Sequence, residues 1–171
     1  MKILATLLLT SSLCVLQAQE TEIAKTIDAL TVKWDKNAIA LESYDGLGKF
    51  CSNSSYRKEI ISLLDEIHHY DTLLYGIVNR KFDANEDEEA KATIDDINTL
   101  ESEYTTQAFK KFIHQECNSY NEIEKNLGSA KGKKYEKEVS KLEKELIVYV
   151  EEVTKRIDLI DEHMHHLHIG E

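Results

Sequence analysis

The sequence of 171 residues contains no proline, and this absence constrains the fold more than any other feature. Proline breaks the interior of a helix because it lacks a backbone N–H and its ring clashes with the preceding turn. Without proline, long helices can run uninterrupted. Apolar residues recur at spacings of three and four along almost the whole chain, which is the pattern of amphipathic helices. The sequence therefore predicts an all-α protein.

The periodicity predicts four helices, over residues 21–47, 56–82, 87–116 and 135–168. Ser54 or Ser55 is expected to cap the second helix, and residues 118–134 are expected to be irregular. The fourth helix has the most regular apolar stripe, formed by Tyr135, Val139, Leu142, Leu146, Tyr149, Val153, Ile157, Ile160, Met164 and Leu167.

Four amphipathic helices of similar length with mostly short connections are typical of an antiparallel up-down-up-down four-helix bundle. We expect a single domain of this kind over residues 19–171, with a long C-terminal helix. The alternative is an elongated helical hairpin that dimerises through the fourth helix.

Residues 1–18, MKILATLLLTSSLCVLQA, have the pattern of a secretory signal peptide, because Lys2 precedes a short apolar run that the small residue Ala18 follows. A lipoprotein anchor at Cys14 is the rival interpretation, but Leu13 stands where lipoprotein processing requires a small residue. We expect cleavage near Ala18 and an exported protein, periplasmic or secreted. No later stretch is long and apolar enough to span a membrane.

Export leaves two cysteines in the mature chain, Cys51 and Cys117. In an up-down-up-down bundle the first and third helices end at the same pole, and each cysteine lies at one of these ends. An oxidising compartment favours disulfides, so we expect Cys51 and Cys117 to be bonded. Two free thiols are the alternative.

The formal net charge is −11, and it becomes −12 when Lys2, the one charged residue among residues 1–18, leaves with the signal peptide. Such a charge repels phosphate groups, so nucleic acid and anionic bilayers are unfavourable ligands. A basic protein is the expected kind of partner.

A polar layer is predicted inside the bundle. Projection at about 100° per residue places Asp71 within the apolar stripe of the second helix and His68 at the edge of that stripe. It places Glu101 within the apolar stripe of the third helix. Tyr149 of the fourth helix reaches the same level, close to Trp34. Because a buried carboxylate is costly unless it is paired, we expect hydrogen bonds from His68 or Tyr149 to the two acids. An internal metal ion and an error in the assigned helix faces are the alternatives.

The chain ends in DEHMHHLHIGE, in which four of the last nine residues are histidines. Imidazole and carboxylate groups bind Zn²⁺, Cu²⁺ or Ni²⁺, and residues three or four apart are neighbours on a helix. No single face of the helix collects three good ligands, so weak metal binding competes with a second interpretation, a helix end stabilised by positive charge. The candidate ligands are His163, His165, His166, His168, Asp161 and Glu162.

The bundle is expected to place this tail, as a helix through His168, at the pole opposite the cysteines. There it would approach the acidic turn of residues 81–89 and the start of the mature chain. Carboxylates from these segments would complete a metal site that the tail alone cannot form.

No set of catalytic residues is apparent, since there is no Gly-rich phosphate loop and no serine in a nucleophile elbow. We therefore expect a protein that is not an enzyme and has no tightly bound cofactor. The leading expectation is a small exported bundle that acts by protein binding, as an immunity-type or chaperone-like escort. The alternative is a metal-binding or metal-buffering protein that uses the C-terminal histidines, the inner polar layer or both.

Overall fold

The computed structural model describes residues 2–43, 45–129 and 131–171, with side chains from residue 16 onward. The described residues form six helices and no strand, which confirms the all-α class and is compatible with a helical bundle. The helices are α1 (Lys2–Glu42), α2 (Gly46–Ser52), α3 (Ser54–Lys81), α4 (Glu88–Glu103), α5 (Thr106–Leu127) and α6 (Lys133–His166).

The end of the first helix differs from the prediction. α1 ends at Glu42, five residues before its predicted end, and a short helix, α2, forms over Gly46–Ser52, where the sequence predicts the end of the first helix and a break. A Cβ atom at Gly46 would lie 2.1 Å from the carbonyl oxygen of Leu41. Glycine alone permits this close approach, and it allows α2 to begin directly against the end of α1.

α2 brings Cys51 to Cys117 on α5. Their Cα atoms lie 5.2 Å apart, and a disulfide joins them across a separation of 66 residues. This distance is within the range that disulfides span. That the bond forms in the exported protein stays a prediction.

The cap of α3 also differs from the prediction. The side chain of Asn53, and not that of Ser54 or Ser55, accepts a hydrogen bond from the backbone N–H of Tyr56 at 3.0 Å. Asparagine is as strong an N-cap as serine, so the helix starts at the first of three competent residues.

The predicted third helix is two helices. α4 ends at Glu103, and α5 begins after Thr105, whose hydroxyl accepts a hydrogen bond from the N–H of Ala108 at 3.0 Å. This side-chain cap offers the backbone an alternative to continuing the helix. The interruption leaves the carbonyl of Tyr104 free to accept a hydrogen bond from outside α4.

α5 continues to Leu127, through part of the segment that was predicted to be irregular. Tyr120 and Ile123 pack against the core there. The hydroxyl of Tyr120 also donates to Glu124 at 3.1 Å, one turn further along α5. Tertiary packing therefore extends a helix whose local sequence is weakly periodic.

α6 ends at His166, two residues before the predicted end at His168. The last residues turn back toward α1, with Leu167 and Ile169 buried. Gly170 has a φ of 95°, and a Cβ atom there would lie 2.5 Å from the Cβ of Ala24. The tail is thus packed against the first helix.

α6 is the central element, since it contacts α1, α2, α4 and α5, while α3 packs against α1 and α4. Trp34 of α1 is buried and donates its Nε1–H to the hydroxyl of Thr154 on α6 at 2.8 Å. Its ring also meets Phe109 of α5 edge-on, with centroids 6.5 Å apart. One buried aromatic side chain therefore joins three helices.

Cleavage near Ala18 stays a prediction. The site lies within α1, and the side chains of residues 1–15 are outside the described part of the chain. Within the described part, no helix has both the length and the apolar character that crossing a membrane requires.

Candidate functional site

His68 links α3 to the junction between α4 and α5. Its Nδ1 lies 2.7 Å from Glu101 Oε1, and its Nε2 lies 3.2 Å from the carbonyl oxygen of Tyr104. Both partners are acceptors, so both contacts are hydrogen bonds when both ring nitrogens carry protons. The expected pair of His68 and Glu101 is present. It lies near the surface, because the Glu101 side chain is 37% exposed, and the prediction that Glu101 is buried is wrong.

Asp71 is 3% exposed, as the helical projection predicts. Its Oδ2 has no hydrogen-bond partner among the described residues, so the predicted partners are wrong. The carboxylate lines a cavity of about 10 Å³, together with the hydroxyl of Thr31, which also lacks a hydrogen-bond partner in the described part of the chain. Such a cavity has room for about one water molecule. Burial, and then the charges of Glu101 and Asp161, raise the pKa of Asp71 well above its ordinary value.

Tyr149 belongs to an aromatic cluster and not to a polar layer. Its ring stacks on Phe112 with centroids 4.4 Å apart and meets Tyr104 edge-on at 5.6 Å. Its hydroxyl has no partner within the described residues. Burial and the neighbouring Tyr104 raise the pKa of Tyr149 to about 12. The four predicted residues therefore separate into one pair, His68 with Glu101, and two isolated groups.

The C-terminal histidines meet the first turn of α4. The side chain of Asp87 caps this helix by accepting from the N–H of Ala90 at 3.0 Å. The cap fixes the orientation of the first turn, which carries Glu88 and Glu89. Acidic side chains are favoured there by the helix dipole. Glu89 is thereby held toward the last turn of α6.

Glu89, His163 and His166 form the first histidine–carboxylate cluster. His163 Nδ1 lies 2.6 Å from Glu89 Oε2, and His166 Nδ1 lies 3.7 Å from the same oxygen. One ligand atom from each of the three residues lies within 4.8 Å of the others. The predicted contact between the tail and the acidic turn is thus present, and it brings a third candidate ligand to the two histidines.

A buried carboxylate supports His163 from behind. His163 Nε2 lies 3.5 Å from Asp96 Oδ2, while the guanidinium of Arg156 donates to the other oxygen of Asp96. Asp96 is 7% exposed. A histidine whose second ring nitrogen faces a carboxylate is the arrangement that metal-binding histidines usually have, because it fixes the ring and the tautomer.

Asp28, Asp161 and His165 form the second cluster, on the side of α6 that faces α1. Their ligand atoms also lie within 4.8 Å of one another, and His165 Nε2 is 3.3 Å from Asp28 Oδ1. Burial and the neighbouring Asp28 raise the pKa of Asp161 to about 6.

Two predicted ligands lie outside both clusters. His168 has a φ of 51°, and its Nδ1 lies 2.7 Å from the Glu171 carboxylate. Glu162 is exposed on the outer face of α6. The other three tail histidines contact two helices: His163 and His166 lie against α4, and His165 lies against α1.

The sequence did not indicate Asp28 or Asp96 as residues of these clusters. Both lie beside apolar residues at helical spacing, Asp28 next to Ile27 and Asp96 next to Ile97. Their position at the edge of an apolar stripe indicates that each carboxylate can contact a neighbouring helix. Without the relative rotation of the helices, however, it does not show which edge faces α6.

Comparison with known proteins finds no matching family model, no matching curated protein and no matching solved structure.

Proposed function

We propose that this protein binds a divalent transition-metal ion, with Zn²⁺ as the reference ion, at Glu89, His163 and His166. The observation that carries the proposal is the meeting of two histidines of α6 with a carboxylate of α4 at ligand distance. The cluster joins two helices, so a bound ion would also stabilise their packing.

The donor set suits zinc. Two imidazole nitrogens and one carboxylate oxygen bind Zn²⁺ at about 2.0–2.2 Å and leave a fourth position open. Tetrahedral ligands at that distance are about 3.3 Å apart. The contact of His163 with Glu89, now 2.6 Å, would lengthen by about 0.7 Å, and the contact of His166 with Glu89, now 3.7 Å, would shorten by about 0.4 Å. Rotation of a glutamate side chain that is 46% exposed supplies shifts of this size.

The competing interpretation is an ion pair. A doubly protonated His163 would donate to Glu89 and lie against Asp96, which satisfies the same contacts without a metal. The two interpretations differ in what acid does. Protons strengthen the ion pair, whereas they displace a metal from imidazole.

Calorimetric titration with Zn²⁺ at neutral pH tests the proposal. We expect micromolar binding by the wild type and loss of binding at this cluster in His163→Ala/His166→Ala. The matched control is His69→Ala/His114→Ala, which removes two exposed histidines outside both clusters. Equal binding by the two double variants would remove the support for this site.

The up-down-up-down arrangement is part of the same proposal, with α4 and α5 together as the third helix. It is supported by contacts between distant segments: Lys81 Nζ lies 2.5 Å from Glu20 Oε2, and His163 meets Glu89. In this arrangement the metal cluster and the disulfide lie at opposite poles. Export, inferred from residues 1–18, would place the chain in an oxidising compartment, where the disulfide can form.

A second candidate function is protein binding, through the outer face of α1. Val32 and Ile39, two turns apart on one side of the helix, are each 69% exposed. Lys25 and Lys36 are exposed along the same side of the helix. This face is apolar and locally basic on an acidic protein, so it would suit a partner with an apolar, acidic surface better than the basic partner that net charge alone favours.

Co-purification from the exported fraction tests this second function. We expect a stoichiometric partner that Val32→Glu/Ile39→Glu loses and that His163→Ala/His166→Ala retains. A partner kept by the Val32 and Ile39 variant would exclude the α1 face.

A further inference from the structure

The second cluster lies at the contact between α1 and the last turns of α6. Asp28 comes from α1, while Asp161 and His165 are one turn apart on α6. His165 Nε2 is 3.3 Å from Asp28 Oδ1, although the pair does not have hydrogen-bond geometry. Asp28 Oδ1 therefore keeps its capacity to accept a hydrogen bond or to bind a cation.

Two carboxylate oxygens of this cluster are shielded from solvent and receive no hydrogen bond from the described residues. Asp28 Oδ1 and Asp161 Oδ1 are buried atoms with no hydrogen-bond partner among the described residues. Carboxylate oxygens removed from water cost free energy unless a donor or a cation replaces the lost hydration. Two carboxylates that face each other require a positive species between them, a proton or a metal ion.

Two further acids on α1 and α6 add negative charge to the contact between these helices, here called the seam, and so favour a bound cation. Asp35 of α1 is half-buried and Asp158 of α6 is exposed. Partial burial, and then the charge of Asp35, raise the pKa of Asp158. Within the described part of the chain, the ion pairs made by lysine and arginine go to acids elsewhere, namely Glu20, Glu145 and Asp96. Among the described residues, no basic side chain other than His165 is paired with the acids of the seam between α1 and α6.

We propose that Asp28, Asp161 and His165 form a second divalent-cation site, for an ion such as Mn²⁺ that accepts two carboxylates and one imidazole. Hard carboxylate oxygens favour Mn²⁺ over the softer ions that a site richer in histidine selects. The proposal stands on its own three ligands and does not require the first cluster to bind metal. A bound ion would join α1 to α6, as the first site joins α4 to α6.

The test uses the full protein with the first cluster removed, His163→Ala/His166→Ala, so that the two sites are separated. Free Mn²⁺ is followed by its electron paramagnetic resonance signal as protein is added. We expect one Mn²⁺ bound per chain. Adding Asp28→Asn/Asp161→Asn to this background should weaken the binding by at least about tenfold.

The matched control in the same background is Asp95→Asn/Glu162→Gln, which removes the same charge from two exposed positions outside the cluster. It should retain binding. Circular dichroism and thermal unfolding establish that each variant is folded, and loss of the mutual repulsion should leave Asp28→Asn/Asp161→Asn at least as stable as its parent. Absence of Mn²⁺ binding by the parent, or equal loss in both variants, would overturn the second site. Zinc binding by the wild type at the first cluster would be untouched by that result.

Discussion

Asp71 is a side chain whose burial lowers the stability of the folded protein. Its carboxylate is buried, has no hydrogen-bond partner among the described residues and lies near other acids. Removing its charge should therefore stabilise the protein. We expect Asp71→Asn to raise the free energy of unfolding at pH 7 by on the order of 1–3 kcal/mol, measured by urea denaturation. The hydrogen-bonded Asp71 that the sequence predicts would have implied the opposite effect, a loss of stability on replacement.

The same residue predicts a pH dependence. A carboxyl group whose pKa is higher in the folded than in the unfolded protein binds more protons when folded, so stability increases as pH falls through the folded pKa toward the unfolded value, about 3.9. The stability advantage of Asp71→Asn over the wild type should therefore shrink as pH is lowered from neutrality. Comparing the two proteins cancels the titration of other groups. An advantage that is constant with pH would contradict the buried charge.

His68 makes the opposite contribution. Its ring contacts the carboxylate of Glu101 and the carbonyl oxygen of Tyr104. The break between α4 and α5 leaves that carbonyl without a partner inside a helix. His68→Ala should lower the free energy of unfolding by about 1–2 kcal/mol, because it removes the contacts of the ring nitrogens and leaves part-buried acceptors without a donor. His69→Ala, at the exposed neighbouring position, is the control and should change stability by less than about 0.5 kcal/mol.

At the scale of the helices, the sequence was most informative where periodicity is strong. α3 and α6 were predicted to within a few residues, because each buries one continuous apolar stripe. The break at Thr105 and the extension of α5 to Leu127 were not predicted. The break depends on a local side-chain cap, and the extension depends on packing against other helices. The periodicity of apolar residues reveals neither feature.

The disulfide is the strongest link between elements that are distant in sequence. Closing a separation of 66 residues should stabilise the protein by about 4 kcal/mol in the chain-entropy model. Cys51→Ser/Cys117→Ser should lose a free energy of unfolding of this order in chemical denaturation. Thiol titration of the denatured mature protein should find no free thiol. One free thiol per cysteine would show that the bond does not form.

At the scale of the whole molecule, the candidate sites depend on where helices meet. The sequence identified the histidines, and it identified the acidic turn that supplies Glu89. It did not identify Asp28 or Asp96, since their role follows from the rotation of α1 and α4 about their axes. Both clusters draw on α6, whose last turn carries His163, His165 and His166 in different directions. One helix end thus serves two neighbours, and this arrangement underlies the proposed metal binding.

The most direct test of that account is a crystal structure of the protein grown with one equivalent of Zn²⁺, with anomalous diffraction measured on both sides of the zinc absorption edge. We predict an anomalous peak at about 2.0–2.2 Å from Glu89, His163 and His166, with His163 still facing Asp96. A peak held by other residues, such as His69 or His114, or a zinc-replete crystal with no peak between α4 and α6, would contradict it.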